Sequence, residues 1–253
     1  MAKKETVQDE LICLSKRDFS ETSVIFTFFS SKYGKIALLA KGIKRPRGKV
    51  VNTADLLDKI QASFSVNPEG LGLLREYTLI KSWLELRRNM DKWYTAIYVS
   101  ELINISTKEL EPLPEIYQLL DKALSTIACA ENNEKLARII VRFTLRLLAE
   151  IGYRPELVKC VSCKRQLSPD DMLFFSASAG GLVCRDCEGG IFDKIRVEHR
   201  AWFYLLGKVK DMKSASLAFE ILDIMLKEHL EKVPTTSKYC RERLFGGKRV
   251  TKL

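Results

Sequence analysis

The sequence predicts an α+β protein. A five-stranded β unit spans residues 1–82, and a helical domain, residues 83–253, carries an inserted four-cysteine module at about 155–192. Three observations predict this. β-branched and aromatic runs broken by turn residues continue as far as Trp83, apolar residues then recur at spacings of three and four, and two Cys-x-x-Cys pairs interrupt the helical part.

The β unit reads as LICLSK at 11–16, SVIFTFFS at 23–30, GKIALLAKG at 34–42, DKIQASFSVN at 58–67 and GLGLLREYTLIKSW at 70–83. Asn67, Pro68, Glu69 and Gly70 make the last two runs a hairpin. Five short antiparallel strands suit a small closed barrel such as the OB-fold, and a sandwich or SH3-like barrel matches the same periodicity. Seven basic residues and no acidic one fall between positions 32 and 49: Lys32, Lys35, Lys41, Lys44, Arg45, Arg47 and Lys49. In an OB-fold the loop after the third strand places Lys41, Lys44, Arg45, Arg47 and Lys49 beside a groove. There basic residues follow a phosphate backbone and aromatics stack on bases. Lys41, Lys44, Arg45, Arg47 and Lys49, with Lys35 of the same basic run, are the candidate contacts to such a backbone. Phe19, Phe29 and Tyr33 are the candidate stacking aromatics, and of these Phe29, in an apolar strand, reads more strongly as core.

The helical part opens with DKWYTAIYVSELINIS at 91–106, PEIYQLLDKALSTIA at 114–128 and NEKLARIIVRFTLRLLAEIG at 133–152. Asn132 or Asn133 caps the start of the third helix, and Gly152 and Pro155 stop it. Arg138, Arg142 and Arg146 recur along it every four residues, and Glu134 and Glu150 are placed to pair with this stripe. Two more helices are expected at 197–210 and 214–233. The final sixteen residues hold Lys238, Arg241, Arg243, Lys248, Arg249 and Lys252 against Glu242, with Gly246 and Gly247 favouring a mobile tail.

Cys160 and Cys163 in CVSC, and Cys184 and Cys187 in CRDC, stand twenty residues apart. This spacing predicts one zinc ion in an all-thiolate shell. Such a shell has no open position, so the ion is structural and its binding energy is folding energy. Cys13, Cys129 and Cys240 lie outside the pattern and are assigned no function. An odd cysteine count, the absence of a long uncharged apolar run and a start without a secretory apolar segment point to a cytoplasmic chain.

The net charge of +10 favours a polyanionic partner. Enzyme chemistry is not indicated. His199 and His229 lie in predicted helices away from any Ser or Cys they would activate, no Walker A sequence occurs, and Asp170–Asp171 reads as a turn.

The opening LICLSKRDFSETSVIFTFFSSKYGKIALLAKGIKRPRGK, together with YRPELVKCVSC and FSASAGGLVCRDC, resembles the bacterial RecO recombination mediators of the zinc-binding type. The resemblance implies an N-terminal OB-fold, a helical domain with a zinc insertion and a non-enzymatic role in recombinational DNA repair. It implies binding of single- and double-stranded DNA, annealing of complementary strands, association with RecR and with the C-terminal tail of single-strand-binding protein, and loading of RecA. It also implies a place in the cytoplasm, on the nucleoid. For the acidic tail the residues suggest an apolar groove with a basic rim, for which Arg138, Arg142, Arg146 and Lys208 are candidates. A zinc-ribbon scaffold in transcription or translation, and a metal-dependent nuclease, are the alternative classes.

Overall fold

The computed structural model describes residues 6–43, 54–68 and 70–247. They form two compact units. One takes in the described residues up to Arg88 together with Ser106–Ala128; the other takes in Asn89–Ile105 and the described residues from Cys129 onward.

In the first unit β1 (Thr6–Asp18), β2 (Val24–Ser30), β3 (Gly34–Ala40), β4 (Lys59–Ser65) and β5 (Gly72–Lys81) close a barrel in the order β1-β2-β3-β5-β4, with β4 returning to β1. The closure decides for the barrel over the sandwich. β1 begins five residues before the expected run. Thr6–Glu10 mixes polar and charged residues yet pairs with Gln61–Ser65, because only one face of that stretch needs to be apolar. β3 and β5 run parallel and join through Leu38↔Gly72 and Leu39↔Leu73. Leu11, Phe26, Phe28, Ile36, Leu38, Ile60 and Phe64 fill the interior, each worth roughly 1.5–3 kcal/mol when removed from water.

The outward side of the barrel is also covered. Ile12 and Phe29 are cross-strand partners outside the interior cluster, and both are 0% exposed. Helix α3 (Pro114–Ala128) packs on β2 and on the short α1 (Leu84–Arg87). The chain leading into α3 runs along the start of β3: Leu110 N–H donates to the Lys35 carbonyl at 2.9 Å, and the Lys35 ammonium donates to the Thr107 carbonyl at 2.6 Å. Gly34 makes this approach feasible. It turns at φ +67°, and a Cβ there would fall 1.9 Å from the Glu111 carbonyl oxygen.

The second unit contains α2 (Met90–Ser106, its last residue belonging to the first unit), α4 (Asn133–Glu150), a sheet in the order β7-β6-β8 (Gly181–Cys184, Leu173–Ser176, Ile195–Val197), α5 (His199–Leu205) and α6 (Met212–His229). Asn132 caps α4 through its side chain, which accepts from Lys135 N–H at 3.0 Å. Gly152 ends α4 in a left-handed turn, with Tyr153 N–H donating to the Leu148 carbonyl at 2.7 Å.

The helix expected at 197–210 is shorter, and its first residue belongs to a strand. Ile195–Val197 pairs with β6, and Gly207 at φ +76° stops α5, with Lys208 N–H closing on the Phe203 carbonyl at 2.8 Å. The expected mobility of the tail does not extend to residues 235–245. Glu101 binds Thr236 through its N–H and hydroxyl at 3.0 and 2.6 Å, Arg241 pairs with Glu220 and Asp223 at 2.8 and 2.5 Å, and Phe245 stacks on Phe219 at 4.4 Å. Lys248, Arg249 and Lys252 lie outside the described residues. Among the described residues no helix is long and apolar enough to cross a membrane.

Gly34→Ala is expected to destabilise the barrel unit by at least about 1–3 kcal/mol, through left-handed strain and displacement of residues 107–111. Urea unfolding followed by circular dichroism reads the effect.

Candidate functional site

Cys160 and Cys163 sit in a tight turn flanked by a Lys159–Gln166 bridge. Cys160 N–H donates to the Arg165 carbonyl at 2.8 Å, Lys164 N–H returns to the Cys160 carbonyl at 2.9 Å, and Lys164 takes the left-handed φ of 61° that closes the turn. The β6–β7 hairpin brings in Cys184 at its end, and Cys187 follows in a 3-10 turn, Arg185–Gly190. The four sulfurs lie within 4.8 Å of one another, and Cys163 Sγ is 3.8 Å from Cys184 Sγ. A tetrahedral shell with metal–sulfur bonds of about 2.3 Å has edges of about 3.8 Å. The residues therefore fit a tetrahedral thiolate-bound ion.

Electrostatics agree with this fit. Burial opposes ionisation of Cys160, but N–H groups of Cys184, Cys163 and Ser162 aimed at its sulfur outweigh it and hold the thiol at about 6. Cys187 is pushed up to about 12 by the Cys184 and Cys163 thiols. A full set of thiolates thus needs a cation among them. Cys160 and Cys184 are buried, whereas Cys163 is exposed and Cys187 half-buried.

The basic cluster of the first unit divides. Lys41 is exposed just beyond β3. Lys35 is half-buried and bound to Thr107; burial lowers its pKa against the opposing pull of Glu109. Lys44, Arg45, Arg47 and Lys49 lie outside the described residues. The chain beyond them is anchored: Asp55 pairs with Lys16 and, at 2.7 Å, with Arg87, which also meets Asp58 at 3.3 Å. Phe19 is 59% exposed at the β1–β2 turn, and Tyr33 packs edge-on to Phe64 at 5.7 Å.

In the second unit α4, the segment 154–159 and the end of α5 line a groove of about 1030 Å³. Leu145, Ala149, Leu157, Leu205 and Leu206 supply apolar surface, and Val158 is 48% exposed there. Its rim carries four cations, Arg142, Arg146, Arg154 and Lys159, against Glu150 and Glu156. Both carboxylates are engaged: Glu150 accepts from Arg146 at 2.8 Å, and Glu156 accepts from Val158 and Lys159 N–H groups at 2.8 and 3.1 Å. Arg138 instead pairs with Glu134 at 2.8 Å, and Lys208 lies over the Phe203 ring at 5.6 Å. Neither lines this groove.

Comparison with known proteins matches both halves of the chain in order. The family "Recombination protein O N terminal" covers residues 1–83, and "Recombination protein O C terminal" covers residues 87–238. The chain belongs to the RecO family. Among its relatives, the DNA repair protein RecO of Halalkalibacterium halodurans is 32% identical over 178 residues, 70% of this chain and 67% of the relative. The DNA repair protein RecO of Syntrophus aciditrophicus is 29% identical over 188 residues, 74% and 71% of the two chains. That of Caldanaerobacter subterraneus subsp. tengcongensis is 26% identical over 239 residues, 94% and 93% of the two.

Arg154 and Lys159 were not among the sequence candidates for the groove. They lie in YRPELVKC, just before the first cysteine, where their only signal is charge beside a helix stop. The histidines hold backbone: His199 Nε2 meets the Asp171 carbonyl at 2.8 Å, and His229 Nε2 the Ala177 carbonyl at 3.2 Å. Asp171 serves its turn by accepting from Ser168 N–H at 2.7 Å.

The purified protein is expected to carry one metal ion per chain, and Cys163→Ser to lose it, as read by plasma mass spectrometry. A metal-free Cys163→Ser variant with unchanged stability would show that the centre does not hold the fold.

Proposed function

We propose that this RecO-family protein is a recombination mediator in DNA repair and not an enzyme. It binds single- and double-stranded DNA, anneals complementary strands and, with RecR, helps load RecA onto DNA coated by single-strand-binding protein. The observation that carries this reading is a basic surface in a chain of this family: a net charge of +10, a run without acidic residues at 32–49 and a cationic rim on an apolar groove. Annealing requires that two polyanions be brought together, which phosphate neutralisation achieves without a nucleophile or nucleotide. The acidic tail of single-strand-binding protein suits the groove: Arg142, Arg146, Arg154 and Lys159 meet its carboxylates and Leu145, Leu205 and Leu206 its apolar end. The four cysteines hold zinc as a structural ion, and the protein works in the cytoplasm on the nucleoid.

DNA contact in the barrel unit rests on Lys41, Lys44, Arg45, Arg47 and Lys49, with Phe19 as a stacking residue. Lys35 positions residues 107–111 instead.

The test is annealing of complementary strands coated with single-strand-binding protein. The protein is expected to accelerate it, and absence of acceleration, or strand cleavage in magnesium, contradicts the proposal. The Arg142→Glu/Arg146→Glu variant is expected to lose acceleration on coated strands and keep it on naked ones. Reversing Lys44, Arg45 and Arg47 to Glu should weaken single-strand binding and reduce the log–log salt slope by about 2. Filter binding across a salt series measures both.

A further inference from the structure

The wall of the groove and the first metal turn are one continuous segment. Val158 and Lys159 line the groove, and Cys160 follows directly. The segment has no helix or named strand of its own to hold it. Its backbone is fastened at three places. Leu167 N–H donates to the Val158 carbonyl at 3.0 Å, so the wall is paired with the far side of the Cys160–Cys163 turn. Glu156 exchanges backbone hydrogen bonds with Gly180 and Leu182 at 2.9 Å each, on the hairpin that delivers Cys184. Trp202 Nε1 donates to the Leu157 carbonyl at 2.7 Å, tying the wall to α5 close to Leu205 and Leu206.

Two of these fastenings run to the two chain segments that bring the cysteines together. A Cβ on Gly181 would lie 2.4 Å from the Glu156 carbonyl oxygen, so the hairpin and the wall meet backbone to backbone with no side chain to absorb a shift. Spreading the cysteine pairs would therefore move residues 156–159, and with them one side of the groove. The opposite side, on α4, is a capped helix with its own buried face of Leu136, Ile140, Phe143, Leu147 and Leu148 and has no such dependence.

We propose that the metal centre positions the groove. An ion on Cys160, Cys163, Cys184 and Cys187 holds the 154–159 wall at the spacing that accepts an acidic peptide, so metal and peptide bind with positive coupling. This rests on the reading of the groove and of the four-cysteine centre given above. Cys163 is an exposed residue and Cys187 a half-buried one, so a chelator approaches the centre from their side and the ion can be withdrawn and returned.

The test uses the full chain and a fluorescein-labelled peptide of consecutive aspartates ending in apolar residues. Zinc withdrawal by chelation is expected to weaken peptide binding about tenfold, within the usual range of coupling between sites. Zinc restored under reducing conditions should recover it, while single-strand DNA affinity of the same samples stays within about twofold. Linkage also requires the reverse: saturating peptide should raise zinc affinity by the same factor, measured against a competing chelator. Equal peptide affinity with and without zinc overturns the coupling and leaves the groove reading intact. No peptide binding by the zinc-loaded protein overturns the groove reading and the coupling with it. Should the metal-free chain unfold, the reciprocal measurement on the wild type decides, and a zinc affinity indifferent to peptide overturns the proposal.

Discussion

The close approach of residues 107–111 to the start of β3 is the constraint on which the barrel unit depends. Lys35 is bound there through both its carbonyl and its ammonium, and the neighbouring position can only be glycine. The approach directs the chain into α3, which packs on β2. Phe29, on the outward side of β2, is thereby removed from water, and its cross-strand partner Ile12 is buried beside it, each worth roughly 1.5–3 kcal/mol. β2 is buried along nearly its whole length for this reason. A barrel with that face covered cannot stack bases on Phe29. Exposed side chains lie instead at its turns, Phe19 between β1 and β2 and Lys41 just beyond β3.

The second unit solves a different problem. Its helices have apolar faces large enough to pack on one another: α6 contacts both α4 and α5, and Tyr98 and Phe219 meet at 5.9 Å. The segment between α4 and β6 does not. Residues 153–172 contain few buried apolar side chains, Leu167 and Pro155 among them, and backbone pairing holds them to the rest of the unit. A metal ion on the four cysteines would fix the two turns relative to one another, which is what a segment with so little core of its own requires.

Strands β2 and β3 and helices α3 and α4 were legible because their burial follows their own periodicity, and the cysteine spacing encodes its two turns directly. The start of β1 was not, since Thr6–Glu10 alternates polar residues along a strand whose pairing with β4 is decided elsewhere in the chain. α5 ended early at Gly207, a stop signal visible in the sequence but outweighed by the apolar run before it. The groove was legible only in part. Arg142 and Arg146 announce themselves by helical spacing, but Arg154 and Lys159 join them through the turn at Gly152 and the fold of the cysteine segment. Lys35 looked identical to its basic neighbours; only tertiary packing separates a lysine held by Thr107 from one left at the surface.

If nucleic acid follows the loops of the barrel, the contact is directly visible by photo-cross-linking a single strand containing iodouracil and mapping the modified peptides. Adducts are expected at Phe19 and in the peptide spanning 41–49. Adducts at Phe29, or along β2 and β3 with none at the loops, would mean that α3 leaves the barrel to admit DNA and would contradict the covered face described here.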